Sequence, residues 1–214
     1  MKKKNKAIYL LFLMPFVYFA TACFVVWLVK TSGIYPSGSD TMYHVYRGDY
    51  VYNAIKSGNW YPLYDPAWYN GVEILRYWSP FPAYVMAFCQ YLAGGSQFGA
   101  YLFYIGGVCF LGACVWPFIG RGFNRPYMGA FIGLLWFFMP NNLCAIFIEG
   151  NLARSLSMIF LPVFIYSVYK YLYNHKLRYI PLMVFTFLLM ELCHLGYAGM
   201  VAIAVIIYGI VYMI

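Results

Sequence analysis

Long apolar runs separated by short polar segments make up most of this chain. A helix needs about 20 apolar residues to cross the roughly 30 Å hydrocarbon core of a bilayer, and each run has about that length. The final run, from residue 179 to residue 214, has room for two helices and bends near His194. The pattern therefore predicts an all-α, polytopic helical bundle of about six spans, at residues 7–29, 98–119, 127–148, 155–173, 179–195 and 197–214.

A different pattern fills the large loop at residues 30–97, where polar and aromatic residues alternate. Residues 41–56 contain no proline and are followed by Gly58, which predicts a helix whose first turn Ser39 or Asp40 would cap. Residues 80–93 are apolar, but about 14 residues are too few to cross a bilayer. We therefore expect a second helix there, lying on the membrane surface.

Composition agrees with a membrane protein, because 64% of the residues are hydrophobic and only 9% are charged, against roughly 25% in soluble domains. The aromatic share of 23% is typical of a chain with many rings at a membrane interface. The net charge of +8 is divided among short clusters between the apolar runs, so no nucleic-acid partner is expected. The six cysteines lie in apolar stretches without a CxxC pair, which indicates neither a disulfide framework nor a zinc site.

The charges also predict an orientation. With residues 80–93 outside the bilayer, nine of the 14 cations fall in cytoplasmic segments, and all six acidic residues fall outside or in the outer half of the membrane. This arrangement obeys the positive-inside rule, so we expect a multi-pass protein of the cell membrane with a cytoplasmic N-terminus. A cleaved signal peptide is the alternative for the first span, but its apolar run continues to Val29, beyond a typical signal core.

No soluble domain boundary or internal repeat is visible, so residues 1–214 are expected to form one transmembrane domain whose outer loop is residues 30–97. The sequence ends at Ile214 within an apolar run. We therefore expect it to be the N-terminal part of a longer protein, and such a part could be inactive alone.

Candidate chemistry begins on the first loop helix. Asp40, His44 and Arg47 have the spacing i, i+4, i+7 and would share one helix face. A carboxylate can accept a proton from an attacking hydroxyl or hold a divalent cation, and a guanidinium pairs with phosphate through two hydrogen bonds. The alternative is a helix start at which the aspartate caps the backbone and the other two side chains are merely solvated.

Further polar residues lie at the outer ends of later spans. Glu149 ends the third span, Arg154 opens the fourth, and Glu191 and His194 lie near the end of the fifth. Charges at membrane depth usually face a cavity or a partner, and under the predicted orientation all of these would lie on the side of Asp40. The alternatives are a Glu149–Arg154 ion pair that only steadies a loop, and a Glu191–His194 pair at spacing i, i+3. No metal-ligand spacing, phosphate-binding glycine loop or nucleophile elbow appears.

Three segments carry a resemblance to known proteins: GSDTMYHVYRG from Gly38, SGNWYPLYDPAWYNG from Ser57, and YWSPFPAYVMAF from Tyr77. They resemble the opening of the bacterial membrane proteins termed 6-pyruvoyl-tetrahydropterin synthase-related, in which a Gly-x-Asp-x-x-x-His segment follows the first span. Nothing in the chain resembles a soluble pterin synthase. More broadly, the layout is similar to that of membrane glycosyltransferases of the GT-C architecture, which place an acidic residue in the first outer loop before surface helices.

The resemblance implies a transfer of sugar from a polyprenyl-phosphate donor to a glycan, lipid or protein acceptor at the outer membrane face. Asp40 and Glu149 would be the catalytic carboxylates, and the substrate-binding side chains would be those of His44, Arg47, Arg154 and His194. One departure is that Ser39 precedes Asp40, so the paired acidic motif of many mannosyltransferases is absent. The competing hypothesis is a non-catalytic transporter or lipid-handling protein, whose polar residues would line a path near the bilayer midplane.

Overall fold

The computed structural model describes residues 2–36 and 38–214, with side chains from Phe12 onward, and it confirms the predicted all-α class. The described residues form no strand beyond one isolated β-bridge, between Asp65 and Val72. The helices are α1 (Lys2–Ser32), α2 (Thr41–Lys56), α3 (Phe81–Leu92), α4 (Gln97–Gly122), α5 (Pro126–Leu135), α6 (Pro140–Leu143), α7 (Leu152–Asn174), α8 (Ile180–Cys193) and α9 (Leu195–Met213).

Five helical segments are long and apolar enough to cross a membrane: Phe12–Ser32, Gln97–Gly122, Pro126–Ile148, Leu152–Asn174 and Leu195–Met213. The remaining predicted span, at residues 179–195, corresponds to α8, which has only 14 residues. At about 1.5 Å per residue, α8 alone is roughly 21 Å long. A 3₁₀ turn at Leu177–Tyr179 precedes it and extends its reach.

Packing shows that α8 runs between the two ends of the bundle. Ser157 near the start of α7 donates to the carbonyl of Met190 near the end of α8, over 3.3 Å. At the opposite end, the Tyr208 hydroxyl of α9 donates to the Tyr173 hydroxyl of α7 over 2.7 Å. The chain therefore passes down α7, back along α8 and down again along α9.

The bundle thus has two ends with different contents. The "α2 end" holds α2, α3 and the loops that follow α1, α6 and α8. The "basic end" holds the turns from α4 to α5 and from α7 to α8, and its side chains include Arg121, Arg125, Lys170, Lys176 and Arg178.

Residues 80–93 lie at the α2 end and do not cross the bundle. The Tyr35 ring, just after α1, packs edge-on against the rings of Phe98 and Tyr101 at the start of α4, with centroids 5.1 and 5.3 Å apart. The end of α1 and the beginning of α4 are therefore neighbours. The 12-residue helix α3 lies between them in sequence and must begin and finish on the same side.

Helix α2 packs on α3 through a glycine. A Cβ at Gly48 would collide with the side chain of Met86, so only glycine permits this approach. Gln90 of α3 adds a hydrogen bond of 2.6 Å to the Asp49 carboxylate of α2. This contact fixes the rotation of α2, whose buried face includes His44 and Arg47.

The third span is a broken helix. Its regular part ends at Leu135, and Met139 is extended with ψ of 121° before Pro140. Proline cannot donate a backbone hydrogen bond and disfavours a helical residue before it, which explains the break. The chain then forms a π-helical turn at Cys144–Ile148. Such turns are uncommon and often occur at functional sites.

Candidate functional site

Backbone contacts hold Asp40 against the end of the broken span. The Asp40 amide donates to the Glu149 carbonyl over 3.0 Å, and the Ser39 hydroxyl donates to the same oxygen over 3.1 Å. Two glycines permit this approach, since a Cβ on Gly38 would lie 2.6 Å from the Gly150 nitrogen. The structure therefore places the segments of Asp40 and Glu149 at the same end of the bundle.

The Asp40 carboxylate does not cap α2, contrary to the alternative considered from sequence. Asp40 occupies the N-cap position but has φ of −105° and ψ of −8°, and its side chain accepts no capping hydrogen bond. An N-cap side chain normally needs an extended backbone to reach the first free amides. The carboxylate faces a cavity and lies 3.1 Å from the Ser39 hydroxyl, whose one hydrogen is shared between this carboxylate and the Glu149 carbonyl.

This first cavity, of about 510 Å³, lies between α2, the segment before α3, the start of α7 and the α8–α9 junction. Its volume is within the range of small-molecule sites. Its polar lining residues are Asp40, Tyr43, His44, Arg47, Arg76, Tyr77, Trp78, Ser79, Asn151, Glu191 and His194. The predicted face of α2 and the predicted residues near the fifth span thus meet in one cavity.

Arg47 is the most unusual of these residues, because only 1% of its surface is exposed. One guanidinium nitrogen donates to the carbonyls of Trp78 and Ser79, at 3.2 and 3.3 Å. The Nε atom is buried and has no hydrogen-bond partner among the described residues. The Tyr43 ring lies 5.4 Å from the guanidinium carbon, which favours a cation but does not neutralise it.

No acidic side chain in the described part of the chain forms an ion pair with Arg47. Burial lowers the pKa of Arg47 from its ordinary value, while the nearby Tyr43 raises it. A guanidinium of this kind provides free donors for an anion, and phosphate is the group that it binds best through two hydrogen bonds.

His44 lies one turn before Arg47 and lines the same cavity. Burial, together with the nearby charge of Arg47 and the neighbouring His194, lowers the pKa of this imidazole from 6.5 to about 3. His44 is therefore neutral at ordinary pH. It can donate or accept a hydrogen bond, but it cannot contribute a second positive charge.

His194 has a structural contact that the sequence did not predict. Its Nδ1 accepts from the Tyr197 amide over 3.0 Å and so caps α9, and its Nε2 lies 3.3 Å from the Asn151 side-chain nitrogen. Burial is the main cause that lowers the pKa of His194. The suggested pairing with Glu191 is absent among the described contacts, and both side chains line the first cavity instead.

Glu149 and Arg154 pair with each other, at 2.5 Å between carboxylate and guanidinium. Arg154 also donates to the Asn141 side chain over 2.8 Å, and the Cys144 thiol lies 3.4 Å from Glu149. Neither charged residue is among the lining residues of the cavity. Their geometry favours the alternative in which the ion pair steadies the loop that positions Asp40.

Several cavity residues were not singled out from sequence. Tyr43 and Trp78 contribute rings, Asn151 contributes an amide, and Trp78 and Ser79 contribute the carbonyls on Arg47. Of these residues, only Tyr43 could have been suspected from the sequence, because it adjoins His44 on the predicted helix. Within the described residues, no group of three or more His, Cys, Asp or Glu side chains is placed to hold a metal ion.

A family model described as 6-pyruvoyl-tetrahydropterin synthase related domain, membrane protein, matches residues 75–214. The chain belongs to this family. In this 6-pyruvoyl-tetrahydropterin synthase-related (PTPS-related) protein, the match includes α3 to α9 and therefore Glu149, Arg154 and His194. Asp40, His44 and Arg47 precede the matched residues. No curated protein and no solved structure matches the chain. The family description identifies a membrane protein and names no activity.

Proposed function

We propose that this PTPS-related membrane protein acts as a glycosyltransferase of the GT-C kind, taking a sugar from a polyprenyl-phosphate donor. The observation that carries the proposal is Arg47, a buried guanidinium without a carboxylate partner among the described side chains, which lines the same cavity as Asp40. A buried cation without a carboxylate partner is costly unless a ligand supplies the anion. The phosphate of the donor is that anion, and its polyprenyl chain lies in the surrounding lipid.

The transfer step uses one base and one stabilised leaving group. An acceptor hydroxyl attacks the anomeric carbon, a C–O bond forms there, and the bond from that carbon to the phosphate oxygen breaks. Asp40 takes the hydroxyl proton, and the electron pair of the broken bond stays on the polyprenyl phosphate. Arg47 stabilises the charge on that phosphate, and neutral His44 donates a hydrogen bond to it.

We assign Glu149 and Arg154 to positioning Asp40, and His194 to the wall of the cavity.

Charge supports an orientation with the N-terminus in the cytoplasm. The basic end carries Arg121, Arg125, Lys170, Lys176 and Arg178, and the N-terminal lysines begin α1 on the same side. All six acidic residues belong to the α2 end. By the positive-inside rule the α2 end then faces outward, where the acceptor is a glycan, lipid or protein of the cell envelope.

Replacement of Asp40 by asparagine tests the proposal. The variant keeps the side-chain shape and removes the base, so surface glycan should fall by about 100-fold or more while protein abundance is unchanged. Asp49→Asn is the matched control, because Asp49 lies on α2 outside both cavities and the side-chain oxygen of asparagine can still accept from Gln90. Normal glycan in the Asp40→Asn strain, at normal abundance, would refute catalysis by Asp40.

A lipid-handling protein is the second candidate, and the broken third span favours it. Interrupted helices line the substrate paths of many transporters. The break at Met139–Pro140 lies near the middle of the segment Pro126–Ile148. The charged residues that line the first cavity lie at the α2 end, however, which favours the transferase. A lipid-handling protein would move polyprenyl phosphate equally well with Asp40→Asn, whereas Arg47→Met would abolish the movement.

A further inference from the structure

A second cavity of about 650 Å³ adjoins the first at the α2 end. Asp40, Tyr43, Tyr77 and Trp78 line both cavities, so the Asp40 carboxylate stands at their boundary. The lining of the second cavity differs from that of the first, because it includes five aromatic rings and two carboxylates but no Lys or Arg among the described residues. Its lining residues are Ser39, Asp40, Met42, Tyr43, Trp68, Tyr69, Val72, Glu73, Ile74, Tyr77 and Trp78.

The rings of this aromatic cavity are held in place by one another. Trp68 packs between Tyr43 and Tyr46, with ring centroids 5.4 and 4.6 Å away. Tyr43 also contacts the Trp78 ring, 6.0 Å away. Although the rings support each other, 85% of Tyr69 and 56% of Trp78 remain exposed to the cavity and its surroundings. Large rings with a fixed orientation and a free face are suited to bind a flat or ring-shaped ligand.

The loop that carries Tyr69 has an unfavourable backbone conformation, which hydrogen bonds at the base of the loop hold in place. Tyr69 and Asn70 both have positive φ, at 50° and 62°. Paired backbone hydrogen bonds of 2.9 Å between Asp65 and Val72 close the loop, and the Tyr46 hydroxyl donates to the Asp65 carboxylate over 2.5 Å. A non-glycine residue in this backbone region is unfavourable and persists only where its surroundings impose it. The loop therefore holds the Tyr69 ring in place at some cost in stability.

The charges of the aromatic cavity select the class of ligand. Asp40 and Glu73 are carboxylates, and Glu73 already forms a 2.7 Å ion pair with Arg76. No Lys or Arg belongs to the described lining, so an anionic ligand would meet the Asp40 carboxylate without compensation. A ligand with hydroxyl donors and apolar C–H faces fits, because hydroxyls donate to carboxylates and C–H faces pack on aromatic rings.

We infer that the aromatic cavity is a carbohydrate-binding subsite that takes a neutral pyranose ring. In the proposed transferase it holds the acceptor glycan, with the attacking hydroxyl directed to Asp40 from the side opposite Arg47. This acceptor role rests on the proposed function. The binding of a neutral sugar does not, because it depends only on the rings and carboxylates of the second cavity.

Saturation-transfer difference NMR on the full chain in lipid nanodiscs tests the binding. The probes are the methyl pyranosides of glucose, galactose, mannose and N-acetylglucosamine, which carry no charge. We expect at least one to receive saturation from aromatic protons. Tyr69→Asn should raise the Kd of that probe by about fivefold, because the variant lacks the ring while asparagine tolerates the left-handed backbone conformation. Tyr91→Ala, which removes a comparably exposed ring on α3 outside both cavities, should leave binding unchanged.

The outcomes separate the subsite from the transferase. Sugar binding that survives Tyr69→Asn, or that inorganic phosphate displaces, would place the ligand elsewhere and overturn the inference. Absence of saturation transfer for all four pyranosides would overturn it as well. Quenching of the cavity tryptophans by brominated lipids would assign the rings to the bilayer interface and so reject a sugar site. A subsite that binds sugar in a protein without transferase activity would leave this inference standing and remove the proposed function.

Discussion

At the scale of single residues, Arg47 sets the chemistry of the first cavity. Its guanidinium is buried, one of its nitrogens has no partner, and its described contacts are two carbonyls and a ring. None of these compensates a full positive charge removed from water. A residue that is unfavourable for folding and directed at a cavity is best explained by the ligand that it binds.

Replacement of Arg47 by methionine should separate stability from binding. Methionine fills a similar volume without a charge, so the thermal midpoint of the ligand-free protein in detergent should equal or exceed that of the wild type. Asp65→Ala provides the contrast, because it leaves the Tyr46 hydroxyl and the Ala67 amide without an acceptor. It should lower the free energy of unfolding by about 2 kcal/mol. A large loss of stability in Arg47→Met would mean that the arginine is a structural residue.

His44 gives the protein a predictable dependence on pH. Burial and the neighbouring Arg47 lower its pKa from 6.5 to about 3, so between these values the folded state binds fewer protons than the unfolded state. Stability should therefore rise with pH across this window and be lost as the pH falls from 6.5 toward 3. His194, whose pKa is also lowered, acts in the same direction. The drop in thermal midpoint from about pH 8 to about pH 5 should shrink in His44→Gln; an unchanged drop would assign it to other groups.

Sequence reasoning could predict the candidate residues that share one helix, but not the contacts between distant segments. The i, i+4, i+7 spacing placed Asp40, His44 and Arg47 on one face of α2, and helical geometry alone determines that result. The carbonyls on Arg47 lie about 30 residues away, and the aromatic cavity depends on a strained loop. Neither leaves a periodic signal in the sequence.

At the scale of elements, the end of the broken span determines where Asp40 lies. The π-helical turn ends at Ile148, Glu149 offers its carbonyl to the Asp40 amide, and Gly150 turns the chain with φ of +68°. The hydropathy of residues 127–148 predicted a continuous span, and the structure corrects this at Met139 and Pro140. A hydropathy average cannot detect such a break, because the residues on both sides of it are apolar.

Gly150→Ala should disturb the site through this loop. A Cβ there would lie 2.6 Å from the Thr41 nitrogen on a backbone with positive φ, so we expect a loss of about 1–3 kcal/mol and a weaker Asp40–Glu149 contact. Gly199→Ala in α9 is the control, since its Cβ would meet nothing within 4 Å and alanine favours a helix. Equal thermal midpoints for the two variants would show that the loop tolerates the change.

At the scale of the whole molecule, the two ends of the bundle differ in charge and in chemistry. Both cavities lie at the α2 end. At the basic end, Lys170 donates to the Gly122 carbonyl over 2.8 Å and packs on the rings of Phe123 and Tyr166, which joins α7 to the turn after α4. The all-α class was predictable because each apolar run indicates a helix on its own, whereas the break in the third span and the short α8 were not.

The orientation is testable with single cysteines in a background without the native six. Ser57→Cys lies in the loop after α2, and His175→Cys lies in the loop between α7 and α8. Both side chains are exposed. Under the positive-inside rule, a membrane-impermeant maleimide should label position 57 in intact cells and position 175 only after lysis. The reverse labelling would place the cavities in the cytoplasm.

Binding of polyprenyl phosphate is the most direct test of the central claim that Arg47 holds a phosphate-linked lipid beside Asp40. Native mass spectrometry of the detergent-purified protein should detect one polyprenyl phosphate retained per chain and little retention of the uncharged polyprenol. Arg47→Met should lose that retention, whereas Lys56→Met, at an exposed cation of α2 that lines neither cavity, should keep it. Equal retention of the alcohol and the phosphate, or full retention by Arg47→Met, would contradict the account.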